Sequence, residues 1–275
     1  QGGLVLNALD RPEQATLWLR DGLTLAREAR IARDALYSEC ICLLGELELR
    51  AGRAAKALPE LEEAVRLSPE EVRPRLLLSE ALLGRGNSEA AAEAASMALV
   101  RDESNLQAKE LRGRAHRQQG KFALAAKDFN SALSRPSARL LLGVVHFESL
   151  DHQSGPRRPQ FFGRVAAKEH ISAVIEDPAL RDKEVALGRI ALGWLSLLTT
   201  RPKRSPALRE FDAAIARAPN SALARLSRGI LLLNWKRYDD AEADLLTAQG
   251  LEGGAYGARV ALGRLAKAQG DVAAA

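Results

Sequence analysis

The sequence predicts an all-α protein, an α-solenoid of antiparallel helix pairs that repeat along the chain. Three observations predict it. Apolar residues make up 47% of the 275 and aromatics only 4%. That balance suits helices and withholds the β-branched and aromatic residues a sandwich or barrel needs. Glycines recur at one interval: Gly52, Gly86 and Gly120 stand 34 apart (86−52, 120−86), as do Gly229 and Gly263 (263−229). Small residues keep phase with them, Ala57, Ala91 and Ala125 five residues later and Ala64, Ala98 and Ala132 twelve later, with Gly45, Ser79 and Gly113 seven before.

Each repeat reads as a helical hairpin. Residues 40–50 and 54–67 carry apolar side chains at i, i+3, i+4 and i+7 spacing. The glycine between them ends the first helix, where φ > 0 is cheap only for Gly. Ser68-Pro69-Glu70-Glu71 reads as an N-cap, a Pro at the first helical position and acids near the positive helix end. Small residues let the two backbones approach, while Leu44 and Leu61 fill the remaining volume. One hairpin cannot bury its own apolar face, so neighbours must stack.

This pattern resembles the tetratricopeptide repeat, a two-helix unit of 34 residues. The best matches are Leu44, Gly45, Ala57, Leu61, Ala64 and Pro69; then Gly113, Ala125, Phe129 and Ala132; then Gly229, Tyr238, Ala241, Leu245 and Ala248. The usual aromatic of the first helix is mostly missing, its place taken by Glu48, Leu82, His116, His146 and Leu232. The resemblance implies a single right-handed solenoid over residues 1–275. It divides into a partial unit 1–37, units 38–71, 72–105, 106–139, 136–180, 181–221 and 222–255, and a truncated unit 256–275.

The irregular stretches carry their own expectations. Ala15 and Ala57 are 42 apart (57−15), eight more than the repeat norm, which indicates longer helices after an Asp10-Arg11-Pro12 turn. The fourth unit holds an insertion at 151–161 whose Ser-Gly-Pro-Arg-Arg-Pro core reads as a loop, about eleven residues beyond the standard turn. In the fifth unit Gly188 fits the register counted from Pro178, but Gly193 fits the helix length better and is preferred, and the turn at 199–205 is extended. Residues 4–9 read as the tail of a first helix, and 270–275 stop just inside a second one. Neither end shows a polar capping helix, so the chain reads as a piece of a larger protein whose open ends allow self-association.

Enzyme signatures are absent. No GxSxG elbow, phosphate loop or HExxH occurs, and Gly84-Arg85-Gly86 falls at a repeat turn. His116, His146, His152 and His170 lie without metal-ligand spacing, so no metal and no cofactor are expected. Glu62-Glu63 and Asp239-Asp240 read as solvated or dipole-compensating charge. Cys40 and Cys42 diverge by ~200° on a helix and cannot bridge. Reduced thiols favour a cytoplasmic setting. No apolar run is long enough to span a membrane.

The resemblance instead implies a concave surface lined by the first helix of each unit. Its N-terminal half would present Arg73, Glu80, Glu110, Arg114, Arg117 and Gln118. Its C-terminal half would present Val144, Phe147, Trp194, Leu197, Ile230, Leu233 and Asn234, with Arg264 and Lys267 beyond. The groove thus changes from charged to apolar, and Trp194→Ala or Phe147→Ala should weaken partner binding while leaving stability near wild type. Cys42 and Glu46 stand where some relatives place a Lys/Asn clamp for a C-terminal carboxylate, and Glu46 would repel one. A second candidate surface is a basic edge of two extended turns, Arg157 and Arg158 with Arg201, Lys203 and Arg204.

The net charge is +5, but only 9 of the 40 basic residues are Lys, so Arg richness reflects base composition as much as any polyanion partner. No aromatic platform accompanies the basic turns, which argues against nucleic acid. The reading is a non-catalytic scaffold that binds a partner peptide or helix in its groove. The alternatives are a docking array of a larger enzyme, such as a bacterial serine/threonine kinase, and an adaptor in an envelope or motility assembly.

Overall fold

The computed structural model describes residues 11–28, 35–149, 157–198, 204–251 and 253–270; among these are fourteen helices and no strand. The chain divides into two compact units, Gln1–Ala132 and Leu133–Ala275. The first holds α1 (Pro12–Glu28), α2 (Ala35–Arg50), α3 (Ala54–Leu67), α4 (Val72–Gly84), α5 (Ser88–Arg101), α6 (Leu106–Gln118) and α7 (Phe122–Asn130). The pairs α2/α3, α4/α5 and α6/α7 are hairpins, and α2, α4 and α6 also touch in succession as one layer of first helices. The second holds α8 (Pro136–Glu148), α9 (Arg157–Ser172), α10 (Asp182–Leu197), α11 (Arg204–Arg217), α12 (Ala222–Asn234), α13 (Tyr238–Gly250) and α14 (Ala255–Gln269). Its hairpins are α8/α9, α10/α11 and α12/α13, with α14 against α13, and its first helices again touch in order.

The phase of small residues is the packing. Gly45 faces Leu61, Gly113 faces Phe129 and Gly229 faces Leu245, each pair 16 apart (61−45, 129−113, 245−229). A Cβ on any of these glycines would lie within 3.0 Å of the partner side chain, so close approach of the two helices requires Gly there. Leu61, Phe129 and Leu245 are fully buried, each contributing roughly 1.5–3 kcal/mol of transfer free energy. Ser79 replaces the glycine once; residue 95 opposite is then only Ala, and the Ser79 hydroxyl donates to the Ala91 carbonyl at 2.8 Å. Two small residues therefore keep the close approach there, with a hydrogen bond in place of the large side chain.

The same lattice measures the irregular units. Gly143 faces Ile171, 28 residues on (171−143), so the fourth hairpin carries 12 more than the regular 16. Gly193 faces Phe211, 18 on (211−193), which makes it the lattice glycine of the fifth. Gly188 instead meets Ile175, Leu140 and Ile171 of the preceding hairpin. Helix α7 has nine residues where α3 and α5 have 14, and Gly143 follows Gly113 by 30 rather than 34. One helical turn is lost there. Helices α1 and α2, at 17 and 16 residues, are the longer pair that the Ala15–Ala57 spacing requires.

Turns follow the glycine expectation: Gly52, Gly86 and Gly120 have φ of 72°, 76° and 71°. Lys236 holds that place after α12 with φ of 62°, at a cost of about 1–2 kcal/mol for a residue with a Cβ. Two expectations are corrected. Ser68 does not N-cap a helix. It ends α3, its carbonyl accepts from the Glu71 N–H at 3.1 Å with Pro69 inside the resulting turn, and its hydroxyl pairs with that of Ser38 at 2.7 Å. The same turn recurs at Asp102/Asn105, Asp177/Leu180 and Ala218/Ser221, because Pro or a short polar residue suits its central positions. The inserted segment is not a loop throughout either. Helix α9 begins at Arg157, with Pro159 in its first turn, where a missing N–H costs nothing. Helix α11 opens likewise, with Pro206 as its third residue.

Ion pairs fasten α1 to the hairpin beside it. Glu48, only 1% exposed, accepts from Arg20 of α1 and from Arg53. Arg27 reaches Glu60 at 2.6 Å and Glu63 at 2.5 Å, and Glu63 also accepts from the Tyr37 hydroxyl at 3.2 Å. Cys40 and Cys42 are free thiols. No helix among the described residues is long and apolar enough to cross a membrane.

Candidate partner-binding site

In the first unit the exposed side of the first helices is a chain of charges. Glu46 accepts from Arg50, one turn along α2, and from Arg73 of α4, both at 2.6 Å. Glu110 accepts from Arg114 on α6 at 2.5 Å, and Glu80, Arg114 and Arg117 are half-buried and engaged. The carboxylates sit deeper than the cations. Glu46 and Glu110 side chains are 21% and 4% exposed, against 66% for Arg50 and 54% for Arg73. Around Glu46 the surface offered to solvent is thus two guanidinium groups whose counter-charge lies beneath, while Arg114, 20% exposed, is itself half-sunk over Glu110. Glu110, placed in the groove by sequence, is buried under Arg114 and is a support rather than a contact. The repulsion expected from Glu46 is offset by its two arginines. Burial pushes the Cys42 thiol up, with the charge of Arg73 pulling the other way.

In the second unit the apolar positions are mostly spent on packing. Val144 and Leu233 are buried, not lining a groove. Phe147 packs against the cluster of Leu140, Val144 and Ile171. Trp194 and Leu197 pack on the Phe211 cluster. The Trp194 ring lies 5.5 Å from that of Phe211, tilted by 57°, and its indole N–H donates to the Ser227 hydroxyl of α12 at 3.1 Å. The reason is geometric: adjoining first helices touch, so large side chains on their facing sides fill the seam. Ile230 is half-buried, while Asn234, Arg264 and Lys267 are exposed. His146 stacks on His170 across the α8/α9 hairpin, centroids 5.8 Å apart and planes 17° apart. Burial lowers both imidazoles; the charge of His170 adds to it at His146, and that of Arg139 adds to it at His170. Of the basic edge, Arg201 and Lys203 lie outside the described residues, as do the side chains of Arg157, Arg158 and Arg204. The backbones of these last three belong to helix starts, not to turns.

A family profile described as tetratricopeptide repeat matches residues 42–106, 76–139, 110–153 and 205–252. The chain belongs to the tetratricopeptide repeat family. No curated protein matches its sequence. Among solved structures, a tetratricopeptide repeat protein from Parabacteroides merdae is similar with a TM-score of 0.69 and 16% identity, over 97% of this chain and 96% of its own. A chain of the APC/C hetero-tetramer Cut9-Hcn1 has a TM-score of 0.71 and 16% identity over 93% of this chain. This chain spans 48% of that one, about half its length. A monomeric mutant of IFIT1 with Gppp-AAAA gives 0.66 and 14% identity, over 99% of this chain and 65% of its own. At these identities the likeness is one of fold, an all-α helical repeat. A tetratricopeptide fold is in general that of a protein-interaction scaffold.

The tetratricopeptide lattice also aligns residues that the sequence reading passed over. Arg112 and Asp128 flank the lattice pair Gly113/Phe129, and Arg228 and Asp244 flank Gly229/Leu245. Both arginines clasp their aspartate side-on. Arg112 donates through Nε at 3.1 Å and Nη2 at 2.7 Å, and Arg228 through Nε at 2.6 Å and Nη2 at 2.8 Å. His116 Nδ1 lies 3.0 Å from Asp128 Oδ2. The signal was present in the sequence as an Arg immediately before the small residue and an Asp 16 later.

Proposed function

We propose that this tetratricopeptide chain is a non-catalytic interaction module that holds a peptide segment or helix of a partner protein on the first-helix face of its first unit. The supporting observation is the pair of outward guanidiniums of Arg50 and Arg73 over the withdrawn Glu46, continued by Glu80, Arg114 and Arg117. Such a face supplies charge and planar donors without a reactive group, and binding energy alone suffices for the role. Phe147, Trp194, Leu197 and Ile230 act there mainly as the scaffold of the second unit, with Asn234 its free polar contact.

The test is anisotropy of labelled peptides selected against the native chain, repeated with Arg50→Glu/Arg73→Glu. The double reversal should weaken binding at least about tenfold, which is about 1.4 kcal/mol. Exposed ion pairs are worth no more than about 1 kcal/mol each, so folding should change little. Equal affinity of native and reversed chains for the same peptides overturns the placement.

A further inference from the structure

The third and sixth hairpins, each with the helix that precedes it, correspond at a constant offset of 116, which turns one repeat into a control for the other (228−112, 244−128, 212−96). In the sixth, Arg228 is saturated: Nε and Nη2 hold Asp244, and Nη1 donates to Asp212 of α11 at 2.7 Å. Arg225 adds a fourth charge, 3.5 Å from Asp244. Two arginines and two aspartates balance there. In the third, Arg112 holds Asp128 in the same way, but the residue equivalent to Asp212 is Ser96, whose hydroxyl donates to its own helix at Ala92 O, 2.8 Å away. The positions of Leu232 and Ala243 are taken by His116 and Lys127. One carboxylate has been removed and one permanent cation added.

The vacated place is a depression of about 290 Å³ among α5, α6 and α7, lined by Ser96, Arg112, His116, Leu124, Lys127 and Asp128. Asp128 is spoken for, since it is buried and accepts from both Arg112 and the His116 Nδ1–H. Arg112 Nη1 and the Lys127 ammonium have no anionic partner among the described residues, whereas Nη1 of the equivalent Arg228 has Asp212. We propose that this depression binds a carboxylate, held by Arg112 and Lys127 beside His116, in the place that the Asp212 side chain fills in the repeat copy. The site involves second helices α5 and α7 and is separate from the first-helix face. Its ligand is a carboxylate from either a small acid or an Asp or Glu side chain of a partner. The planar donors of the guanidinium and the point charge of the ammonium serve both.

The experiment follows the His116 imidazole by NMR while the full chain is titrated with sodium acetate and, separately, with the blocked tripeptide Ac-Ala-Asp-Ala-NH2. Sodium chloride at matched ionic strength is the reference. His116 should shift saturably with a carboxylate and not with chloride, while His146 and His170 stay in place. Tighter binding of the tripeptide assigns the site to a side chain, and equal or tighter binding of acetate assigns it to a small acid; both support the carboxylate reading. Ser96→Asp, which copies Asp212 into α5 beside the third hairpin, should weaken either probe at least about tenfold and stabilise the fold. Asp212→Ser is the converse and should open a second acetate response at Arg228, so a poorly folding first variant leaves the question decidable. No saturable shift beyond chloride, or binding unchanged in Ser96→Asp, overturns the proposal.

Discussion

Replacing Gly193 by Ala isolates the interaction on which the repeat depends. A Cβ built at Gly193 would lie 2.4 Å from Phe211 Cε1, 2.9 Å from Cδ1 and 3.0 Å from Cζ. Carbon atoms at rest keep about 3.5–4.0 Å, so the ring must retreat by about 1 Å. Phe211 is wholly buried, and a rigid ring moves as one body against the cluster of Ile190, Ala214 and Leu231 behind it. Overpacking of this kind costs about 1–3 kcal/mol, and the rigid, sealed partner places Gly193→Ala at the upper end. Ala gains about 1 kcal/mol over Gly in a helix, leaving a net destabilisation of about 2 kcal/mol.

Gly22 of α1 provides the opposite sign. Nothing lies within 4 Å of a Cβ there, so Gly22→Ala should stabilise by up to about 1 kcal/mol. Urea titrations followed by helical circular dichroism, with fits that allow units to melt separately, measure both. Phe211→Ala alone should cost about 3–5 kcal/mol. The double variant Gly193→Ala/Phe211→Ala should cost at least about 1 kcal/mol less than the sum, because a side chain opposite Ala is the arrangement of Ser79 and Ala95. Stabilisation by Gly193→Ala equal to that of Gly22→Ala, or strict additivity in the cycle, refutes close approach as the reason for the lattice.

Other substitutions probe the ties around this lattice. Glu48→Ala removes the buried acceptor shared by Arg20 and Arg53, and should lower hydrogen-exchange protection in α1 by about 1.5–3 kcal/mol, the worth of a bond to a charged group. Unchanged protection at Leu19 and Leu23 would dismiss that tie. Trp194→Ala should destabilise the second unit by about 2–4 kcal/mol, since it forfeits the Phe211 contact and the bond to Ser227; a near-native denaturation midpoint would return Trp194 to the role of a free binding residue. The folded-state values of His146 and His170 lie below the ordinary 6.5, so the unfolded chain binds more protons. Their contribution to stability is present above about pH 6.5 and is lost as pH falls toward the folded-state values. A pH series from 7.5 to 5 should therefore show falling stability that His146→Gln/His170→Gln flattens, and identical slopes in both chains would exclude the pair.

The fold was legible where one position answers to one physical demand. A φ above zero admits Gly at 52, 86 and 120, and backbone contact admits only a small residue at 45, 79 and 113, so both patterns survive as letters at fixed spacing. Insertions did not hide them, because a Gly–Phe or Gly–Ile pair can be recognised at 18 or 28 residues once the demand is known. The candidate site was legible only in part. Helical phase places Val144, Leu233 and Trp194 on the same side of their helices as Arg73, yet phase alone does not say whether the next first helix covers that side. Side-chain reach decides: a guanidinium on four bonds clears the seam at Arg50 and Arg73, whereas Val and Leu end inside it. Charge patterns behave the same way. Arg112 and Arg228 read alike in sequence, each with its aspartate 16 residues on. What separates a closed ion cluster from an open one is a third residue on the preceding hairpin, Ser96 or Asp212, which no pattern within a single 34-residue unit contains. A repeat protein keeps its architecture within the period and differentiates its copies across it, so function in such a chain is sought at interfaces between successive repeats.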